Sequence, residues 1–296
     1  MKKDVWDQFL NQHKDQATVF HTYEWMTTLQ EAFGYTPKFL VDDEFFRAAL
    51  PYMVDRRFGI DNYFSMPYDT YGGVIGDTNT NLIEQFANLP GIGYRYFVDY
   101  HRLDQKGVGF TKSIVTTELL DLTQSMDSIW NHMEHKNQKH IKAANNVVSY
   151  IPTSKEDLQI VKELLTPTKD IHGGCPPELT NSMFKHMGEY CVPYLTRVNH
   201  VPTIASIFLV YNGMANYWTM SLRDTPHAHY HLMWKVIYNF KLQGVRTLNL
   251  GSTPKVTNTV IPWKQSWGTS TERYYVYRKV PTLLKPILKV KEVLGL

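Results

Sequence analysis

Residues 229–253 read HYHLMWKVIYNFKLQGVRTLNLGST, and residues 261–278 read IPWKQSWGTSTERYYVYR. The first run is amphipathic at helical spacing and stops at Gly244, a residue type that ends helices by taking a left-handed backbone. The strand VRTLNLG follows, then a short polar loop, then a Lys-Gln-Ser-Trp-Gly turn that opens an aromatic strand. A helix feeding a strand that ends in small residues leaves backbone groups free at the strand's C-terminal end, where α/β proteins bind ligands. The pattern predicts a site without saying what the site does.

Working outward, the second half of the chain begins with the strand VVSYIPT. A helix over Lys155–Leu165 follows, with Ser154 as its N-cap and Asp157 at the capping-box position. A second helix is expected over Pro177–Tyr190. The segments VPYLTRVN, TIASIFLVYNG and ANYWTMSLRD then alternate as a meander of strands. The first half has the same order. A helix over Glu24–Phe33 ends at Gly34, and KFLVDD pairs with FFRAALPYMVDRRF. The strand in YFSMPYDTYGGVIGD runs into a glycine-rich turn, NTNLIEQFANL is helical, and YRYFVDYH and KSIVTTELLDL are strands. A helix over Met126–Asn146, capped near Ser125, links the halves. The shared order of helix, strands, helix and strand predicts a duplicated α/β (α+β) chain with mixed sheets. The domains are drawn at residues 1–146, including the linking helix, and 147–296.

Composition narrows the class. The chain has 296 residues, 43% hydrophobic and 20% charged, with a net charge of +3. That is ordinary for a globular protein with a substantial core, and too weakly basic to imply nucleic acid by itself. Two cysteines, Cys175 and Cys191, form neither a disulfide framework nor a zinc knuckle and read as reduced thiols of a cytoplasmic chain. No signal region and no membrane-spanning apolar run is present in the sequence. The 19 Tyr and 7 Trp read mainly as core, with some left to line a pocket for a sugar or peptide.

The helix–Gly–strand–Gly-Ser–Trp-Lys-Gln-Ser-Trp-Gly order resembles the C-terminal signature of the FemAB-like proteins of the GNAT superfamily. Trp234, Gly244, Gly251, Ser252, Lys264, Trp267 and Gly268 fall on that signature. Phe20-His21-Thr22-Tyr23-Glu24-Trp25 resembles the family's "F.S.EW" helix start. Tyr68-Asp69-Thr70-Tyr71-Gly72-Gly73 resembles its "YGG" turn, and Lys139-His140-Ile141-Lys142-Ala143 its "R..I.KA" helix end. The matches are collinear across nearly the whole chain. Asn249 stands where Asp is usual, and Lys139 and Lys142 stand where Arg is usual. The long helical hairpin of many tRNA-dependent members is absent, as is the R-x-x-G-x-G/A phosphate loop of acetyl-CoA-dependent relatives.

The resemblance implies two tandem GNAT-like domains with mixed, mostly antiparallel sheets. It implies an acyltransferase that moves an acyl or aminoacyl group from acyl-CoA or aminoacyl-tRNA to an amine. The acceptor would be a cell-envelope precursor, a small-molecule or lipid-linked saccharide or peptide of peptidoglycan or a surface polysaccharide. No tightly bound cofactor is expected, and the missing hairpin tilts the donor towards acyl-CoA. The expected location is the cytoplasm, with peripheral contact at the inner face of the membrane. Two other classes remain open: a non-catalytic ligand-binding protein that keeps the aromatic cleft, and a metal-dependent hydrolase built on His227, His229 and His231.

Those histidines alternate, as a zinc site on a strand would. Pro226 instead opens a helix, on which His227 and His231 share a face and His229 points elsewhere, with no HExxH pattern. No metal is predicted. His229 is a candidate base towards an amine because its ordinary pKa lies near neutrality, and His227 a substrate contact. Lys264 is the candidate cation for a phosphate or carboxylate and, with His229, a candidate catalytic residue. Further candidate contacts are Asp69, Tyr71 and Gly72 in the first glycine-rich turn and Trp218 and Ser221 on the meander. Asn249, Ser252 and Trp267 flank the second turn. His172 lies in the His-Gly-Gly-Cys loop, read as a mobile loop over the cleft. Lys136, Lys139, His140 and Lys142 make a basic helix face. The C-terminal run VPTLLKPILKVKEVLGL places leucines on one stripe beside lysines. It reads as a docked helix or as a basic amphipathic tail for an anionic membrane surface.

Overall fold

The computed structural model describes residues 1–42, 46–68, 70–99, 109–166, 172–222, 225–252 and 260–280. The C-terminal run from residue 281 and the turn residue Asp69 lie outside the described residues. Two compact units are formed, one from Met1–Val115 with the segment from Arg273, the other from Thr116–Glu272.

The first unit opens with α1 (Lys3–Gln12) and α2 (Tyr23–Phe33). The latter is capped by Thr22, whose hydroxyl accepts from the Trp25 N–H, and ends at Gly34 with φ +72°. The strands are β1 (Thr36–Val41), β2 (Ala48–Arg57), β3 (Ile60–Ser65) and the short β4 (Ile75–Gly76). Then come α3 (Leu82–Ala87), β5 (Arg95–Asp99) and β6 (Thr111–Asp121), whose later residues belong to the second unit.

In the second unit α4 (Met126–His132) and α5 (His135–Lys142) precede β7 (Val147–Tyr150) and α6 (Lys155–Leu165). β8 (His172–Gly173), α7 (Pro177–His186), β9 (Cys191–Val198), β10 (Val201–Tyr211) and β11 (Met214–Leu222) follow. The closing elements are α8 (Pro226–Leu242), β12 (Thr247–Ser252), α9 (Val260–Gln265) and β13 (Ser270–Lys279), the last of which carries the chain back into the first unit.

Each unit holds a mixed sheet. The first orders its strands β1-β2-β3-β5-β13, with β3 and β5 parallel and the rest antiparallel. The second orders them β6-β12-β11-β10-β9-β7, with β11 and β12 parallel and the rest antiparallel. The mixed sheets of this α+β architecture are what the sequence order predicts, and their mostly antiparallel pairing is what the family resemblance implies. The second unit's core packs Leu232, Met233, Val236, Ile237 and Phe240 of α8 against Tyr194, Phe208 and Leu248 of the sheet. In the first unit Phe86 of α3 meets Tyr52 and Phe97.

The linking helix differs from the sequence reading. It ends at Lys142 and is broken between α4 and α5, where Met133 and Glu134 are extended. The break has a tertiary cause: the Glu134 N–H donates to the Ser266 carbonyl at 2.8 Å, and Asn137 Nδ2 donates to the same carbonyl at 2.9 Å. Helical hydrogen bonds at that turn are exchanged for bonds to the chain after α9. Asp157 also departs from its expected capping role. Ser154 caps α6 by accepting from the Asp157 N–H, while the Asp157 carboxylate binds Tyr150 and Arg197. The helix expected to reach Tyr190 stops at His186, followed by a 3-10 turn over Gly188–Tyr190.

Candidate functional site

β11 and β12 run parallel for three register pairs, Met214 with Thr247, Ala215 with Leu248 and Asn216 with Asn249, and pair no further. Asn249, 1% exposed, pins that last pair. Its Oδ1 accepts from Thr117 Oγ1 at 2.6 Å and from the Gly251 N–H at 2.8 Å, and its Nδ2 donates to Asn216 Oδ1 at 3.2 Å. Gly251 then leaves the ladder at φ +77°, a conformation glycine takes without steric cost. On β11 the register with β10 slips, Ile207 facing Thr219 and Phe208 facing Tyr217. Trp218 is therefore the extra residue of a β-bulge, a feature that re-aims local backbone groups.

Into this parting of strands α9 places Lys264. Its side chain is 4% exposed, and Nζ donates to the carbonyls of Gly251 and Ser252 at 2.8 and 2.9 Å. The strand-end backbone groups that the sequence reading left open are in part held by this lysine. Burial pulls its pKa down to about 8, opposed by the charge of Glu118. An ammonium has three donors, so among the described residues one N–H remains beyond the two carbonyl bonds. The segment predicted as a turn is a short helix through Gln265 that ends in the turn at Trp267 and Gly268. Trp267 is fully buried, stacked near Tyr230 at 5.6 Å between centroids.

His229 lies against the same helix. Its ring stacks on Trp263 at 5.0 Å and 16°, and Trp263 lies 6.3 Å from the Tyr217 ring. Burial lowers the His229 pKa to about 4, so the imidazole is neutral at pH 7. His229 Nε2, Trp263 Nε1 and Trp267 Nε1 are buried without a hydrogen-bond partner among the described residues. Buried polar atoms are nearly always paired, and a cluster of orphans marks a place where water or a ligand completes the bonding.

The histidine trio diverges. His227 Nδ1 lies 3.0 Å from His140 Nδ1, and His231 Nδ1 lies 3.0 Å from Ser149 Oγ, while His229 faces Trp263. Among the described residues no group of three or more His, Cys, Asp or Glu is placed to hold a metal ion. His227 lines a cavity of about 290 Å3 with Asn145, Val198 and Thr225. The basic helix face is partly engaged: His140 stacks on Tyr230 at 4.6 Å and Lys142 lies over Trp130.

Of the other candidates, Ser252 presents its carbonyl to Lys264, and Ser221 is fully buried with Oγ accepting from the Ala205 N–H at 2.9 Å. Tyr71 and Gly72 lie in the first unit. Tyr71 packs edge-on against Tyr274 at 5.3 Å, and a Cβ on Gly72 would sit 2.0 Å from the Ser65 carbonyl oxygen. Close backbone approach therefore explains Gly72. His172 pairs with Leu222 as part of β8, so this end of the loop read as mobile is laddered onto β11. Cys175 is 3% exposed with its thiol pKa raised by burial, an environment for an inert thiol. Trp263, Asn137, Ser266 and Glu118 were not singled out from sequence. Trp263 and Ser266 had a signal there, their places in the Trp-Lys-Gln-Ser-Trp-Gly segment.

No family model matches the sequence, and no curated protein matches it. Solved structures do match in fold. One described as FemX has a TM-score of 0.72 at 10% identity, covering 98% of both chains. The C-terminal domain of a putative lysylphosphatidylglycerol synthetase from Agrobacterium fabrum scores 0.62 at 13% identity, covering 97% of both. L-PGS from Bacillus licheniformis scores 0.61 at 10% identity, covering 98% of this chain and 95% of the other. At these identities the likeness is one of fold, and the fold is the FemX-like one that the sequence motifs resemble. Among the described residues no helix is long and apolar enough to cross a membrane.

Proposed function

We propose that the chain is an N-acyltransferase. It transfers an acyl or aminoacyl group from an activated ester or thioester to the amine of a cell-envelope precursor. The observation that carries this reading is Lys264, a buried cation seated where β11 and β12 part, with one donor to spare. The donor's carbonyl lies in that parting. The substrate amine attacks the carbonyl carbon, and the oxygen takes up negative charge. The free Lys264 N–H stabilises that oxyanion, the kind of preorganised interaction that contributes most in acyl transfer. As the tetrahedral intermediate collapses, the bond to the donor oxygen or sulfur breaks, and the leaving group takes up the proton that the attacking amine nitrogen gives up. With its proton on Nδ1, the neutral His229 accepts a hydrogen bond from the amine through Nε2 and orients its lone pair. At a pKa of about 4 it is a positioning group more than a strong base. Trp267 and Ser252 hold the pocket's shape, and Trp218 and His227 remain proposed contacts.

The donor is acyl-CoA or aminoacyl-tRNA. The absent helical hairpin tilts that choice towards acyl-CoA. Two of the similar structures carry the name lysylphosphatidylglycerol synthetase or its abbreviation, which supports an acceptor at the inner membrane face. The test runs a panel of acyl-CoA thioesters and charged tRNAs against amines of muropeptides, amino sugars and aminoacyl-accepting lipids. Transfer from one donor class that disappears in Lys264→Ala is expected. No transfer from any donor, with ligand binding intact, would leave a non-catalytic binding protein.

A further inference from the structure

Glu118 is a carboxylate buried to 3% exposure in β6, and the chemistry above does not use it. Its oxygens face the chain that carries Lys264. Thr269 Oγ1 donates to Oε2 at 2.9 Å, and Thr271 Oγ1 lies 2.9 and 3.0 Å from the two oxygens. Gln265 Nε2 donates to Oε1 at 3.4 Å. These contacts fall on both sides of the Trp267–Gly268 turn, so a single side chain ties α9 and the start of β13 to β6. A buried carboxylate is tolerated when it is hydrogen-bonded and faces opposite charge. Lys264 supplies that charge, and among the described residues Glu118 is the charged group that acts on it appreciably.

We propose that Glu118 is a positioning residue for Lys264. It anchors residues 265–271 to β6 and provides the negative charge that keeps the ammonium seated on the carbonyls of Gly251 and Ser252. Its catalytic meaning rests on the acyl-transfer reading; its geometry does not. Among the described residues, the other titratable groups packed around α9 and its following turn are Tyr217 of β11, His229 and Tyr230 of α8, and His132 and Glu134 of the α4–α5 break. Burial holds Tyr217 and His229 neutral at pH 7, since it raises the first pKa and lowers the second. Without the carboxylate, the effect of burial on Lys264 is unopposed, so its proton is lost at lower pH.

The test needs neither donor nor acceptor. Protein carrying 13C at lysine Cε is titrated by NMR, with the Lys264 signal identified by its absence in Lys264→Arg. Glu118→Gln is expected to lower the Lys264 midpoint by about one pH unit, the lower end of the effect that removing an interacting opposite charge has. Glu118→Asp, which keeps the charge, is expected to move it less. An unmoved midpoint in a folded Glu118→Gln protein overturns the proposal. Where Glu118→Gln does not fold, Thr271→Val, which loosens the carboxylate's seat, is expected to displace the Lys264 signal, and an unchanged signal overturns the proposal equally. Once a donor is found, Glu118→Gln should lower kcat about fivefold at pH about 8 with KM unchanged. At that pH a midpoint lowered from about 8 to about 7 takes the protonated fraction of Lys264 from about a half to about a tenth. Activity relative to wild type should recover at pH about 6.5, where both proteins hold the proton. A loss in KM alone, or no recovery, counts against positioning. Failure of the donor panel with the expected lowering of the Lys264 midpoint in Glu118→Gln would sink the transferase reading and leave this one standing.

Discussion

At Lys264 the ammonium satisfies two strand-end carbonyls at a site with 4% exposure. Shortening it to Ala leaves both carbonyls short of a donor, at a cost of about 1–3 kcal/mol in stability. The same change removes the oxyanion donor, so transfer should fall by about a hundredfold or more. Urea denaturation and the transfer assay separate the two effects, and lowered stability with full activity would make Lys264 purely structural. His229 gives a second prediction. It binds its proton at about pH 4 when folded, against about 6.5 when unfolded. Between those values the unfolded chain holds more protons, so stability rises with pH through the window and is lost on acidification. The loss is at most on the order of 3 kcal/mol. His229→Phe keeps the ring against Trp263 but does not titrate, and should show a smaller drop in denaturation midpoint from pH about 7 to pH about 4.5. Equal drops would show that His229 is not the group responsible.

Among the elements, the glycine-rich turns separate two uses of the same residue. Gly34 closes α2 at φ +72° with open space around it, so Ala there meets only backbone strain, about 1 kcal/mol. Gly72 has no positive φ, but a Cβ would lie 2.0 Å from the Ser65 carbonyl oxygen and 2.4 Å from the Met66 nitrogen. Backbone cannot yield as a flexible side chain does. Gly72→Ala should therefore cost about 3 kcal/mol or more, or prevent folding of the first unit. Comparable melting temperatures for the two variants would contradict this. Sequence alone placed α2 and its Gly34 stop, because that signal is local, while the Thr22 cap was seen only in the structure. It missed the break between α4 and α5, because the cause is Ser266, 129 positions from Asn137. Nothing in the spacing of Met126–Lys142 could reveal a hydrogen bond made that far along the chain.

For the whole molecule, the C-terminal run from residue 281 is judged by its sequence, with lysines beside a leucine stripe. If it contacts an anionic membrane, full-length protein should co-sediment with anionic vesicles in a salt-sensitive way, each lysine contributing about 1 kcal/mol. A chain ending near Lys279 should not. No binding, with a marked loss of thermal stability on truncation, would mean that the run is docked and would remove this support for a lipid-linked acceptor. The sequence by itself determined most of the order of elements and the mixed α+β class, while it left α1 unassigned and read α9 as a turn. Those rest on hydrophobic period, caps and glycine stops, all readable within about ten residues. It also singled out Lys264 and Trp267 through the Trp-Lys-Gln-Ser-Trp-Gly segment. Only the tertiary structure decided what surrounds them. The parting of β11 and β12 depends on Asn249 meeting Thr117 and Asn216, and the seat of Lys264 on a carboxylate 146 residues earlier in the chain. Burial, which turns a surface-type lysine into one that titrates near pH 8 and leaves His229 neutral, comes from packing between segments remote in sequence.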